Sequence, residues 1–267
     1  MAKVRADQLL VERGLAENGS RARAVIMAGM VYTGQRRIDK AGEQINPDTE
    51  LTVRGELRYV SRGGLKLAKA LDEFVIDVSG LNALDAGAST GGFTDCLLQR
   101  GAAHVWAVDV GYGQFAWKLR EDERVTLFER TNVRKLTAET LGVLPDLIVA
   151  DLSFISLKTV LPVFAALCGE GTVAVTLIKP QFEAGRENVG KKGVVRDPAI
   201  HEAVLDKFLR DALDSGWFVR AMTFSPVRGP EGNIEYLAHM TRQKTDYEIG
   251  DLVRRAHENF SVGKSEP

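Results

Sequence analysis

Asp85, Asp109, Asn132 and Asp151 each close an apolar run: LNALD, AAHVWAVD, RVTLFERTN and PDLIVAD. Polar side chains do joint chemistry only where several runs end together, and an open α/β sheet provides that at its carboxyl edge. Carboxylates there accept hydrogen bonds from a ligand's hydroxyl groups, and a carboxamide can pair with a base edge. Between the first two runs lies LDAGASTGGFTD, residues 84–95. Its glycines allow a strand to turn sharply into a helix and let backbone N–H groups approach a ligand.

Three ligands compete for that turn. A phosphate-binding P-loop needs G-x-x-x-x-G-K-[ST], and no lysine follows Gly91 or Gly92. A dinucleotide fingerprint needs G-x-G-x-x-G, which the spacing Gly87-x-x-x-Gly91-Gly92 does not supply. What remains is Asp-x-Gly-x-x-x-Gly-Gly, the kind of loop that holds S-adenosylmethionine in Rossmann-like methyltransferases. The expected cofactor residues are Asp85, Gly87, Ala88, Ser89, Thr90, Gly91, Gly92 and Phe93 in the loop, with Asp109 and Val110 at the ribose. Asn132 is expected at the adenine edge and Asp151 beside the methyl group.

The acceptor is narrowed by what is missing. Base amino-methyltransferases carry Asn/Asp-Pro-Pro-aromatic after the fourth strand, where this chain has Asp151-Leu152-Ser153-Phe154. Cytosine C5 enzymes need a cysteine nucleophile, and neither Cys96 nor Cys168 is well placed for it. Instead, SRGGLKLAKALDEF (61–74) reads as a helix with Leu67, Leu71 and Phe74 on one stripe, leaving Lys66 and Lys69 off it, either one available. TVAVTLIKPQFE (172–183) is a strand ending at Lys179, with Pro180 barring its simple continuation. GNIEYLAHM (232–240) is a late strand carrying Glu235.

A lysine before the first strand, an aspartate ending the fourth, a lysine ending the fifth and a late glutamate follow one order. That order resembles the FtsJ-like ribose 2′-O-methyltransferases. A ribose hydroxyl is a poor nucleophile that must lose its proton as it attacks a sulfonium methyl. A lysine serves as its base only when partly neutral, which desolvation and a neighbouring ammonium favour. On this reading Lys179 is the base, Lys66 supplies the neighbouring charge, and Asp151 and Glu235 hold both in place.

The elements that position these residues form an α/β fold. Strands are expected near 82–86, 104–109, 124–128, 146–150, 172–178, 217–224 and 234–240, a seven-stranded Rossmann-like sheet alternating with helices. DPAIHEAVLDKFLRDALDSG (197–216) is a long amphipathic helix with Asp197 as N-cap, Pro198 at the first helical position and Gly216 past its end. The chain of 267 residues, 45% hydrophobic and 27% charged, has room for a large domain and a small one. No apolar run approaches the roughly 18 residues of a membrane span. No secretory signal opens the chain, the two cysteines read as reduced thiols, and the four histidines lack metal-ligand spacing, so a cytoplasmic protein without membrane or metal is expected.

Charge is uneven. Residues 1–40 hold eight Lys/Arg against four acids, although the whole chain carries −1. A basic head on an acidic body suggests a polyanion partner. Arg5-x-Asp7, RGL, Ser20-Arg21, IMAGMVYTGQ and LTV, over about residues 4–53, resemble the small α+β RNA-binding domain first seen in ribosomal protein S-four. That resemblance implies that Arg5, Ser20, Arg21, Arg23 and Arg36 face RNA phosphates. Ser20 also reads as the N-cap of the second helix.

Taken with that head, SRGGLKL, LDAGASTGGFTD, DVGYGQ, ERTN, ADLSFISL, KPQFE and GNIEY resemble the TlyA (hemolysin A-like) rRNA 2′-O-methyltransferases. The resemblance, over about residues 4–241, implies methylation of a cytidine ribose in ribosomal RNA or ribosomal subunits, with Lys66, Asp151, Lys179 and Glu235 catalytic. The expected division is an RNA-binding domain at 1–55, a linker at 56–61, a methyltransferase domain at 62–241, and a C-terminal helix and tail at 242–267. Two other readings compete: a catalytically silent ribosome-assembly factor and a membrane-lytic protein. The intact glycine loop and charged residues disfavour the first; the lack of an inserting segment disfavours the second.

Overall fold

A computed structural model describes residues 3–27, 29–55, 58–229 and 231–262. The head contains β1 (Val4–Arg5), α1 (Ala6–Glu12), α2 (Gly19–Met27), β2 (Val31–Thr33), β3 (Arg36–Arg37), β4 (Gln44–Ile45) and β5 (Thr52–Val53). Its strands form two small antiparallel sheets, β1-β4 and β3-β2-β5. Leu10, Ala22, Ile26, Val31 and Ile38 are buried together as its core. Gly14 and Gly29 follow the two helices with φ of +69° and +71°, the left-handed turn that ends a helix. The second helix is capped by Asn18, whose Oδ1 accepts the Arg21 amide at 2.9 Å. Ser20, the expected cap, lies inside α2, because the helix begins one residue earlier at Gly19.

The body comprises α3 (Gly63–Glu73), β6 (Asn82–Ala86), α4 (Gly92–Gln99), β7 (His104–Val108), α5 (Trp117–Arg120), β8 (Val125–Phe128), α6 (Ala138–Leu141) and β9 (Leu147–Ala150). It continues through α7 (Leu161–Ala166), β10 (Val173–Ile178), α8 (Pro180–Glu183), α9 (Pro198–Asp214), β11 (Phe218–Phe224), β12 (Tyr236–Thr241) and α10 (Leu252–Val262). The seven strands run in the order β11-β12-β10-β9-β6-β7-β8. Five are parallel, and β12 is antiparallel to both neighbours. Runs such as VWAV and LIVA carry no alternation because helices cover both faces of a parallel sheet. Leu67, Leu71, Phe93 and Leu97 from α3 and α4 fill one face, and Phe164, Phe208 and Leu252 from α7, α9 and α10 fill the other. Asp197 caps α9 as expected, its Oδ1 accepting the Ala199 amide at 2.9 Å.

Two segments expected outside the methyltransferase domain pack against it. Of the expected linker, residues 56–57 lie outside the described residues, while Tyr59 is 2% exposed within the core of the body. The Val60 amide donates to Asp95 Oδ2 at 2.7 Å, so an aromatic anchor and a buried carboxylate draw residues 59–60 into the body. At the other end, α10 packs against α9 and buries Leu252, Val253 and Ala256. Residues 263–267, expected as a tail, lie outside the described residues.

Candidate active site

The strand order reverses at β6, with β7 on one side and β9 on the other, which opens a crevice at the carboxyl ends of the strands. A cleft of about 1400 Å³ lies there, lined by the glycine loop, by Lys66, Asp151, Lys179 and Glu235, and by Arg21 and Arg23 of the head. Small-molecule pockets span roughly 300–1,000 Å³, so this cleft has room for a cofactor together with part of a substrate.

Two glycines shape the loop. Gly87 holds φ +87°, and a Cβ there would come within 2.6 Å of the Asp151 carbonyl oxygen. A Cβ on Gly92 would meet Ser61 Oγ at 2.3 Å and the Gly64 amide nitrogen at 3.0 Å, so its absence lets α3 and α4 start side by side. Gly87, Ala88, Ser89, Thr90, Gly92 and Phe93 line the cleft. Gly91, with φ +93°, makes the left-handed entry to α4.

Asp85, Asp109, Val110 and Asn132 are not among the lining residues. Asp85 lies within β6 rather than beyond it, so its side chain projects onto a sheet face and is wholly buried. Thr94 Oγ1 donates to its Oδ2 at 2.6 Å, and Oδ1 has no partner. Burial pushes this carboxyl up to about 7, against the opposing Thr94 hydrogen bond. Asp85 therefore ties β6 to α4 from inside, through Thr94. Asp109 accepts the Ser89 amide through Oδ2 at 2.8 Å and the Gly111 amide through Oδ1 at 2.6 Å, tying two loops together. Asn132 accepts the Arg134 amide at 3.0 Å as the cap of a short turn, four residues beyond the end of β8. Val110 is exposed.

The four charged residues do meet. Lys179 Nζ lies 2.5 Å from Asp151 Oδ1, and Asp151 Oδ2 lies 3.8 Å from Lys66 Nζ. Lys66 Nζ donates to Glu235 Oε2 at 2.6 Å, and Gln181 Nε2 donates to the other Glu235 oxygen at 3.4 Å. Lys179 also donates to Ser153 Oγ at 2.8 Å. Glu235 is wholly buried, both lysines nearly so, and Asp151 faces the cleft. Burial alone would lower Lys66, but the Asp151 and Glu235 carboxylates outweigh it and hold the ammonium above its ordinary value. Burial would likewise raise Asp151, and the charges of Lys66 and Lys179 overcome it to hold that carboxyl below its usual range. Two lysines and two acidic side chains thus alternate along one wall. Buried pairs of this kind add little to stability, because desolvation consumes the Coulombic gain; perturbed charges in a cleft mark a site for chemistry.

Several lining residues were not singled out from the sequence: Arg62, Gln181, Phe154 and Phe182. All lie within the motifs SRGGLKL, KPQFE and ADLSF, which were the available signal. Phe154 is 90% exposed with φ +63° and pairs with Phe182 at 5.0 Å between ring centroids. Cys96 and Cys168 are both pushed up to about 11, mainly by burial, which leaves neither suited to nucleophilic attack. Lys69 is turned away, donating to the Phe224 carbonyl at 2.7 Å.

On the head, Arg21 and Arg23 reach the cleft, while Arg5 pairs with Asp7 at 2.8 Å and Arg36 with Glu43 at 2.8 Å outside it. The Ser20 side chain lies outside the described residues. Among the described residues no group of acidic, histidine or cysteine side chains could hold a metal, and no helix is long and apolar enough to cross a membrane.

The FtsJ-like methyltransferase family model matches residues 59–242. The Bacillus subtilis protein YqxC is 49% identical, over 99% of this chain and 98% of its own length. The 16S/23S rRNA (cytidine-2′-O)-methyltransferase TlyA of Mycobacterium tuberculosis is 47% identical, over 95% of this chain and 97% of its own. A solved structure of a hemolysin-named protein from Streptococcus thermophilus superimposes with a TM-score of 0.80 at 45% identity, covering all of both chains. Matched by that family model over residues 59–242 and by these relatives along nearly its whole length, the chain belongs to the FtsJ-like methyltransferases, in their TlyA or hemolysin A-like branch.

Proposed function

We propose that this enzyme transfers the methyl group of S-adenosylmethionine to the 2′-hydroxyl of a cytidine ribose in ribosomal RNA, acting in the cytoplasm where ribosomes are assembled. One observation carries the reading: the row Lys179–Asp151–Lys66–Glu235 stands in the same cleft as the glycine loop. Gly87–Thr90, Gly92 and Phe93 line this cleft and fit the cofactor, the bare glycines letting the loop pack close against the Asp151 backbone and the start of α3. When bound, S-adenosylmethionine supplies an electrophilic methyl with its leaving group already attached.

The protein's work is alignment and proton removal. Lys66, held charged by two carboxylates, steadies negative charge developing on the ribose oxygen. Lys179 Nζ takes the hydroxyl proton as that oxygen turns nucleophilic toward the methyl group that the bound cofactor would supply. Asp151 holds Lys179 from one side and Ser153 from another, which fixes Nζ at the edge of the cleft. Glu235, placed by Gln181, keeps Lys66 from folding onto Asp151. Phe154 presents an exposed ring on which a substrate base can stack. Arg21 and Arg23 offer guanidinium forks to RNA phosphates at the same opening.

The experiment is transfer of labelled methyl groups to unmodified ribosomal subunits and to naked rRNA, with 2′-O-methyl mapping. A single mapped cytidine ribose is the expected result. Cofactor binding with no transfer to any of these substrates would favour a silent assembly factor.

A further inference from the structure

Val189 and Gly193 also line the cleft, and the segment they belong to was assigned no role by the sequence. Residues 185–196 connect α8 to α9 and hold Arg186, Lys191, Lys192 and Arg196 against Glu187 alone. This is a basic stretch on the acidic part of the chain, since the residues beyond the head carry net negative charge. Lys191, Lys192 and Arg196 are exposed and border one open recess of about 380 Å³ beside the cleft. The acid on that recess is Asp197, whose Oδ1 is already engaged by the Ala199 amide.

The lysines sit on a built turn. The Gly193 amide donates to the Gly190 carbonyl at 3.0 Å, and the Gly190 amide donates to the Val194 carbonyl at 3.1 Å. Lys192 occupies the third position of this turn with φ +72°, a conformation that glycine adopts freely and a lysine only under strain. Strain of this kind persists where the surroundings impose it, and it points to a function for the residue held there. The imposing group is Asn233, 1% exposed: its Oδ1 accepts the Val195 amide at 3.0 Å and its Nδ2 donates to the Gly193 carbonyl at 2.8 Å. Asn233 stands two residues from Glu235. The basic turn is therefore fixed to the segment that carries a residue of the charged row.

We propose that Lys191, Lys192 and Arg196 are a second grip on the RNA backbone, holding phosphates some nucleotides away from the reacting ribose while Arg21 and Arg23 hold others. The inference rests on the methyltransferase reading and adds where its substrate lies. Contacts of this kind position a strand without reading its sequence, so the turn sets register in the cleft and leaves base choice to other groups.

The test uses the full-length Lys191→Ala/Lys192→Ala/Arg196→Ala variant, with RNA binding measured against salt concentration alongside methyl-transfer kinetics. The dissociation constant for ribosomal RNA should rise about tenfold or more near 0.1 M salt, and the slope of log K against log salt should shrink by about 2–3. KM for RNA should rise while cofactor affinity, thermal midpoint and kcat at saturating RNA stay at wild-type values. Lys192→Gly removes one charge from a position whose backbone suits glycine, so it separates charge from folding; it should shrink the slope by about 1, and Lys192→Arg should restore it. A triple variant with wild-type KM and salt slope, beside an active wild-type enzyme, overturns the second grip and leaves the methyltransferase reading standing. A wild-type enzyme that neither binds nor methylates RNA overturns both.

Discussion

Lys66 and Lys69 lie one turn apart on α3, and only one of them reaches the cleft. Lys69 rests over the Phe224 ring at 3.6 Å and donates to that residue's carbonyl, as a long amphipathic side chain does on an apolar surface. Helical periodicity placed both off the apolar stripe and could not choose between them, because the choice depends on which strand packs against α3. Asp85 shows the same limit: its place in the motif is legible, but whether it faces a ligand or α4 depends on where β6 ends. Its burial carries a consequence for pH. The folded-state value near 7 lies above that of an exposed aspartate, so the folded protein holds a proton that the unfolded chain has lost. Its contribution is fully present below about pH 4 and is lost as pH rises through about 7. His201 and His239, each pushed down to about 4 chiefly by burial, act with the opposite sign, losing stability as pH falls. The difference between wild type and Asp85→Asn isolates the aspartate: the variant should gain stability relative to wild type as pH rises from about 4 to about 7, by an amount on the order of a few kcal/mol. Parallel thermal-unfolding profiles over that range would refute the assignment.

At the scale of elements, the strands were legible because buried parallel strands write themselves as continuous apolar runs, and the observed ends fall close to those read from the runs. Cap residues were legible where the motif was complete, as at Asp197-Pro198, and misread where two polar candidates stood near each other, as with Asn18 and Ser20. Glu235 precedes β12 instead of lying within it. Because β12 runs antiparallel to β10, with Ile178 opposite Tyr236, its start lies beside the end of β10, and Glu235 arrives next to Lys179's edge of the sheet. No local signal gives that placement; it follows from the direction of the last strand. Gly87 marks where β6 must turn under the Asp151 backbone. Gly87→Ala places a side chain at φ +87° and against a carbonyl oxygen, so it should cost about 1–3 kcal/mol in stability. Calorimetric titration should also find cofactor binding weakened. Unchanged binding and melting would mean that the loop does not need its close approach.

For the whole molecule, the head and the body each have a core, yet the cleft takes lining residues from both. Composition made the basic head legible, but only the folded chain shows that Arg21 and Arg23 open onto the cleft while Arg5 and Arg36 are paired elsewhere. On the proposed reading the labour divides: basic surfaces hold RNA, the glycine loop holds the cofactor, and a buried row of alternating charges stands between them. On the same reading this row removes the ribose proton through Lys179. Single-turnover methyl transfer by Lys179→Ala, measured alongside its cofactor affinity, tests it most directly. The expected result is a rate lower by about 10²–10⁴-fold with cofactor affinity unchanged; near-normal transfer by that variant would contradict the account.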